Sequence, residues 1–286
     1  MSRGRSDEKT GKPVDFPPVP LGALCCPHCQ TPFIQHARAL RCSTGHSFDL
    51  AKQGYVNLLG SGNGDTTQMV AARDEFLAAG HYAPLARLVA HEAAHDLRRD
   101  ALVVDAGTGT GYYLAATLAR ARAASGLGMD TSTAALRRAA RAHPGIGAVA
   151  WDLWKPWPLQ PRSADVIMNI FAPRNLAECH RVLRPDGTLV VVTPDSTHLA
   201  ELRTYVDMLD VDADKLTRLD SSLQSQFSLA GRHDCEIELT LEPEDVHRVV
   251  HMGPNAYHVP EGALASIQRE VTVTAAFVVS VYRKQP

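Results

Sequence analysis

From residue 67 to about 97, apolar side chains recur every three to four positions: Met69 and Val70, Phe76 and Leu77, then Leu85, Leu88 and Val89. That period puts them on one stripe of a helix. Gly80 and Pro84 split the stretch into two helices around His81 and Tyr82. Beyond Ala101 the period changes. Short apolar runs at 101–106, 126–129, 147–151, 165–171 and 188–193 predict strands. Between them, amphipathic stretches at 112–122, 132–142 and 175–183 predict helices, the second capped by Ser132 or Thr131. Pro185-Asp186-Gly187 predicts a turn. Further on, helices are expected near 198–209 and 244–252, and strands at 236–241 and 271–282.

Strands alternating with helices predict an α/β fold with a mostly parallel, doubly wound sheet. Three segments precede it. Residues 1–20 are polar and Pro-rich and read as a disordered leader. Residues 21–60 form a compact cysteine-bearing module, and 61–100 a turn-rich linker followed by the helical segment. The sheet domain takes 101–286.

Composition narrows the class. At 45% hydrophobic and 21% charged, 286 residues suit an ordinary globular protein. No apolar run reaches the roughly 18 residues of a membrane span, and the leader lacks the apolar core of a secretory signal. The expected location is therefore cytoplasmic, with no membrane partner. The formal charge of −2 argues against a general nucleic-acid binder, but it is unevenly spread. Residues 1–52 carry +3, 53–194 carry +2 and 195–286 carry −7. A polyanion would meet the front of the chain.

Four of the six cysteines cluster at 25, 26, 29 and 42; the others stand alone at 179 and 235. That is no disulfide framework and points to metal. Cys26-x2-Cys29 offers two thiolates from one tight turn, and Cys42-x3-His46 can close a tetrahedron from a facing hairpin. Cys26, Cys29, Cys42 and His46 are the candidate ligands, with Cys25 and His28 as rivals. Four protein ligands leave no open position, so the zinc is structural.

Asp105-Ala106-Gly107-Thr108-Gly109-Thr110-Gly111-Tyr112 follows a strand and opens a helix. A dinucleotide fingerprint would put its third glycine at position 112, which is Tyr112. The Gly-x-Gly-x-Gly spacing, with an acid two residues ahead, instead resembles the S-adenosylmethionine (SAM) loop of class I methyltransferases. Asp130 ends the next strand and can accept hydrogen bonds from ribose hydroxyls. Asp152, followed by Leu153, ends the third strand, where the resembling fold has an acid that contacts adenine. Asn169-Ile170-Phe171-Ala172-Pro173 ends the fourth, where the methyl acceptor lies in that fold. The resemblance implies a Rossmann-like, mostly parallel seven-stranded sheet.

The order of these motifs carries a narrower resemblance. The zinc motif is followed by Gly54-Tyr55-Val56-Asn57, Met69-Val70-Ala71-Ala72-Arg73, Gly80-His81-Tyr82-Ala83-Pro84 and then the SAM loop. From about Cys26 onward the chain resembles the RlmA family of 23S rRNA guanine-N1 methyltransferases. Phe171-Ala172-Pro173-Arg174-Asn175 is similar to the Gram-positive branch that includes tylosin-resistance enzymes. The resemblance implies SAM as methyl donor, a homodimer, and an RNA cleft built from zinc modules and methyltransferase domains. It implies one guanine of hairpin 35 in 23S rRNA as the target. It also carries cofactor contacts over to Tyr82, Gly111, Tyr112 and His198, beside Asp105, Gly107, Gly109, Asp130, Asp152, Leu153 and Asn169. Tyr82 reads equally well as a buried aromatic staple between two helices, and His198 as a cap or surface histidine. Small residues at 106 and 108, where many relatives differ, leave SAM binding intact.

Guanine N1 bears a proton that must leave as the methyl group arrives. No residue is named as base. Asn169 can hold the guanine edge but cannot take a proton. Tyr257 is a candidate for stacking on the flipped base. Arg38, Arg41, Lys52, Arg73 and Arg174 are candidate phosphate contacts, each also readable as solvated surface charge. Two other functions compete: a small-molecule methyltransferase, which would leave the zinc module without a task, and a non-catalytic zinc-bearing RNA-binding protein, which the intact acids at 105, 130 and 152 disfavour.

Overall fold

The computed structural model describes residues 15–62, 64–208, 214–260 and 262–285. Most of the expected leader, residues 1–14, lies outside them, as do Asn63 of the linker and the end of the helix expected to run to 209.

A short helix α1 (Pro18–Ala23) leads into three antiparallel strands, β1 (Phe33–His36), β2 (Ala39–Cys42) and β3 (Ser47–Asp49). Next come β4 (Tyr55–Asn57), α2 (Thr67–Ala78) and α3 (Ala83–Ala93). Thr66 caps α2 by accepting from the Met69 N–H, and Gly80, at φ +86°, turns the chain between the two helices as its sequence position predicted. The alternating domain follows: β5 (Leu102–Ala106), α4 (Tyr112–Arg120), β6 (Ser125–Asp130), α5 (Thr133–Ala142), β7 (Ile146–Ala150), β8 (Ala164–Ile170), α6 (Leu176–Val182) and β9 (Leu183–Pro194). A 3₁₀ stretch (Ala200–Thr204), α7 (Lys215–Leu223), β10 (Phe227–Leu241), α8 (Pro243–His251), a second 3₁₀ turn (Pro254–Tyr257) and β11 (Val271–Lys284) complete it.

These strands form one sheet in the order β10-β11-β9-β8-β5-β6-β7-β4. Pairing is parallel from β4 to β9, and β11 runs antiparallel to both of its neighbours. Every residue of β5 and β7 is buried, as expected of strands covered on both faces. The strand order reverses between β5 and β8, and a crevice opens there beyond the carboxyl ends of the strands.

Three expectations change. The sheet has eight strands, not seven. The extra one, β4, belongs to the segment assigned to the zinc module and pairs with β7 over Tyr55–Asn57. The leader ends before residue 16: Phe16 is buried, and a Cβ on Gly147 of β7 would strike its ring. The helix expected over 198–209 shortens to the 3₁₀ stretch, whereas α7 and the first half of β10 were not expected. Of positions 227–234 in that half of β10 only Phe227 is buried, so the sequence carries no apolar alternation there.

The zinc module is not a free appendage. Leu24, Cys26, Leu40, Leu50 and Val56 share one apolar cluster with Val104, Leu127, Val149 and Trp157. The backbone joins them too: Cys25 N–H donates to Pro158 O at 3.0 Å, and Gln160 N–H to Ala23 O at 2.9 Å. α2, α3, α4 and α8 cover the opposite face of the sheet.

Candidate metal centre and cofactor cleft

Cys26 and Cys29 lie on the turn between α1 and β1; Cys42 ends β2 and His46 closes the turn that leads into β3. Gln30 and Gly45 take positive φ, which lets each turn fold its pair inward. The four ligand atoms fall within 4.8 Å of one another. Cys29 Sγ is 3.6 Å from Cys42 Sγ, and His46 Nδ1 is 3.5 and 3.4 Å from Cys26 and Cys42 Sγ. Tetrahedral zinc with metal–ligand bonds of about 2.0–2.3 Å needs edges of this size. The Thr31 and Thr44 hydroxyls lie 3.1 and 3.0 Å from Cys29 Sγ, ready to support a thiolate. The rivals are elsewhere. Cys25 is buried and donates to Gln30 Oε1, and the His28 ring stacks against Phe48.

At the switch point the glycine loop leaves β5 and enters α4. Gly107 has φ +90°, and a Cβ there would collide with that of Ala172. Gly111 has φ +81°, with Ala139 Cα of α5 only 2.9 Å from where a Cβ would sit. The loop is thus wedged between the ends of β8 and α5, with its backbone open to a cleft of about 1050 Å³.

Asp130 fixes the loop while facing the cleft. Its Oδ2 accepts from Gly109 N–H at 2.9 Å and its Oδ1 from Ser132 N–H at 2.8 Å. Burial raises its pKa despite those donors. Asp105 lies deeper. Burial pushes its carboxyl up to about 7, with the Thr108 hydroxyl opposing and the Asp130 charge adding. Thr108 Oγ1 donates to Asp105 Oδ2 at 2.9 Å. Asp152 is half-buried at the rim, accepting from Trp154 N–H, and Leu153 is a buried apolar wall.

Six buried side-chain polar atoms among the described residues lack a hydrogen-bond partner, and five belong to residues lining this cleft. They are Tyr82 OH, Asp105 Oδ1, Tyr113 OH, Thr193 Oγ1 and His198 Nδ1. Buried polar groups are normally paired, so this concentration marks a place for a polar ligand. Three carboxylates, hydroxyls and an apolar wall suit SAM, with its cationic sulfonium and ammonium, ribose and adenine. The structure brings Tyr82, Asp105, Gly107, Gly109, Tyr112, Asp130, Asp152, Leu153 and His198 to this one cleft. Gly111 sits behind it at the start of α4. Asn169 departs from expectation: it is buried beneath the cleft, its Nδ2 donating to Ala106 O and Pro173 O. The side chain ties the end of β5 to the 171–174 loop and is not presented to a ligand.

Two family models match the chain: the RlmA N-terminal zinc ribbon over residues 24–62 and a methyltransferase domain over 103–187. A Micromonospora griseorubida protein that carries the name 23S rRNA (guanine-N1)-methyltransferase is 46% identical, the match covering 92% of this chain and 98% of that one. The 23S rRNA (guanine(748)-N1)-methyltransferase of Streptomyces fradiae is 43% identical over 90% of this chain and 95% of its own. The chain belongs to the 23S rRNA (guanine-N1)-methyltransferase family. It is a SAM-dependent methyltransferase with a zinc ribbon. Among solved structures, a chain of the Haloferax volcanii complex between the Trm112 methyltransferase activator and a methyltransferase matches with TM-score 0.54 at 17% identity, over 79% of this chain and 100% of that one. That likeness shows the fold.

In this methyltransferase another part of the cleft lining has a different character. Trp154, Phe171 and Tyr257 line it and are 67%, 45% and 64% exposed. Phe171 is held at φ +54°, its ring against Phe277 at 5.4 Å. Lys155, Arg174 and Arg218 also line the cleft. Arg73, another phosphate candidate, is instead paired with Asp65 and donates to Met252 O, closing the linker over the cleft. Trp154, Tyr113 and Thr193 escaped the sequence reading. Trp154 had a signal, since it follows Asp152-Leu153. Tyr113 and Thr193 had none, because only the fold turns their hydroxyls inward.

Proposed function

We propose that this methyltransferase methylates N1 of a guanine in hairpin 35 of 23S rRNA, and so contributes to tylosin-type macrolide resistance. The observation that carries the reading is the match to rRNA guanine-N1 methyltransferases, continuous through ribbon, linker and cleft at 43–46% identity. A small-molecule enzyme would need the cleft alone. Acting on rRNA places the protein in the cytoplasm, and among the described residues no helix is long and apolar enough to cross a membrane. The active form in this reading is a homodimer, whose two ribbons present the basic front of each chain to the RNA.

SAM supplies the methyl group. Asp105 would hold its cationic groups, Asp130 its ribose and Asp152 its adenine, and Leu153 would wall the ring. The Gly107 and Gly109 backbone admits it without side-chain obstruction. Tyr82, Tyr113, Thr193 and His198 offer their unpaired polar atoms to its remaining groups. Trp154, Phe171 and Tyr257, exposed in the cleft lining, present flat faces on which an extruded base and its neighbours stack. Holding the base edge-on to the donor makes positioning a large part of the catalysis.

The test is nucleoside mass analysis of 23S rRNA from cells with and without this chain. N1-methylguanosine at one site in hairpin 35 is expected only with it, together with raised tylosin tolerance. Unchanged N1-methylguanosine would refute the reading.

A further inference from the structure

Transfer to guanine N1 has an unmet requirement. The N1 proton must leave, and the charge it leaves behind is shared between N1 and the exocyclic carbonyl oxygen O6. A carboxylate base placed at the acceptor wall would serve, but among the described residues none is there. The cleft-lining carboxylates are Asp65, Asp105, Asp130 and Asp152. Asp65 is paired with Arg73, and the other three lie at the strand ends on the cofactor side. The one lining histidine, His198, packs against Tyr82 and Phe277.

What the acceptor wall does hold is Arg174. It follows directly on the 171–173 loop, where the fold places the acceptor. Its Nη1 is 3.5 Å from Asn169 Oδ1, and Asn169 is itself fastened to Ala106 O and Pro173 O. The titratable groups that act on it electrostatically are Tyr282 from β11 and Cys179 from α6, each kept un-ionised by burial; Arg218 of α7 and Lys155 line the same cleft. No carboxylate ion-pairs with it among the described residues. A half-buried guanidinium without a counter-ion, on a rigid mount, is a receptor for negative charge that develops on a bound ligand.

We propose that Arg174 donates hydrogen bonds to O6 of the target guanine and is the catalytic electrophile of the reaction, in place of a protein base. This rests on the guanine-N1 reading above. The N1–H bond breaks and the proton passes to water. The electron pair left on the N1–O6 system is stabilised by the guanidinium. The methyl group then forms its bond to N1 as its bond to sulfur breaks, that bond's electron pair staying on sulfur as the neutral thioether. Asn169 is a positioning residue that holds the guanidinium's place.

The test uses the full-length zinc-loaded protein and a hairpin RNA with either guanine or 2-aminopurine, which lacks O6, at the target. Without SAM, wild type should bind the guanine hairpin roughly 10-fold more tightly, the worth of a hydrogen bond to a charged group. Arg174→Gln should bind the two alike, and Arg174→Lys should keep part of the preference. With SAM, Arg174→Gln should lower kcat on the order of 10²-fold, while KM rises by no more than the lost binding preference, about 10-fold. Its pH–rate profile should also rise at higher pH than that of wild type, since N1 would lose its proton unaided. Wild type that methylates the guanine hairpin yet binds both RNAs equally overturns the proposal whatever the variant does. So does a variant with raised KM, unchanged kcat and weaker salt dependence, which marks a phosphate contact. A wild type that leaves the guanine hairpin unmethylated sinks the functional reading itself, and this proposal with it.

Discussion

The ribbon and the cleft are both clusters of polar groups set into apolar surroundings, yet they are built in opposite ways. In the ribbon, four ligand atoms face one another within 4.8 Å, with threonine hydroxyls turned toward the sulfurs. The set is complete and needs only its ion. In the cleft, carboxylates and hydroxyls face outward into space, and five polar atoms have nothing to bond. A closed set of ligands makes a structural centre; an open set of unmatched donors and acceptors makes a site for exchange.

Zinc removal tests the closed half and should have the largest effect. Metal contributes about 10–16 kcal/mol to isolated zinc-binding peptides at neutral pH. Because the ribbon shares its core with β5, β6 and β7, chelation or Cys29→Ser should lower the melting of the whole chain. A cleft domain that melts unchanged, seen by calorimetry, would show the two halves to be independent. The open half responds to ligand instead. SAM at 100-fold above its Kd should add about 2.7 kcal/mol of stability. Asp130→Ala should remove most of the resulting Tm shift, because the mutation frees the Gly109 and Ser132 N–H groups as well as a cofactor acceptor. Gly107→Ala strains a φ of +90° and strikes Ala172. It should cost about 1–3 kcal/mol and weaken SAM binding by calorimetric titration, while zinc content stays at one per chain.

The smallest effect is one of pH. Burial holds the Asp105 carboxyl at about 7, against 3.8 when unfolded. Between those values the folded protein binds more protons than the unfolded chain. The contribution to stability is therefore full below about pH 4 and is lost as pH rises through about 7. A cationic ligand favours the ionised form, so SAM affinity should rise from pH 6 to 8. Asp105→Asn should flatten both trends; an unchanged affinity profile would place the cationic groups away from this residue.

Much of this was legible in the sequence because it was written in local patterns. β5, β7 and β8 were apolar runs, and α5 had its serine cap. The zinc ligands and glycine loop were spacings. What depended on long-range packing was not legible. Nothing local says that Tyr55–Asn57 pairs with a strand some ninety residues later, that Phe16 lies against Gly147, or that Asn169 spends its amide on backbone. β10 was half missed because an edge strand keeps polar side chains on much of its surface.

The pairing of β4 with β7 bears on how members of this family can be taken apart and recombined. A cut at residue 60, where the ribbon ends by composition, would carry β4 away with the donor and leave β7 as a bare strand inviting sheet-to-sheet aggregation. The natural seam is the tight turn before it, where Gly54 N–H closes onto Ala51 O. Grafts joined there would exchange zinc ligands and the ribbon's outer surface between relatives while each recipient kept its own eighth strand.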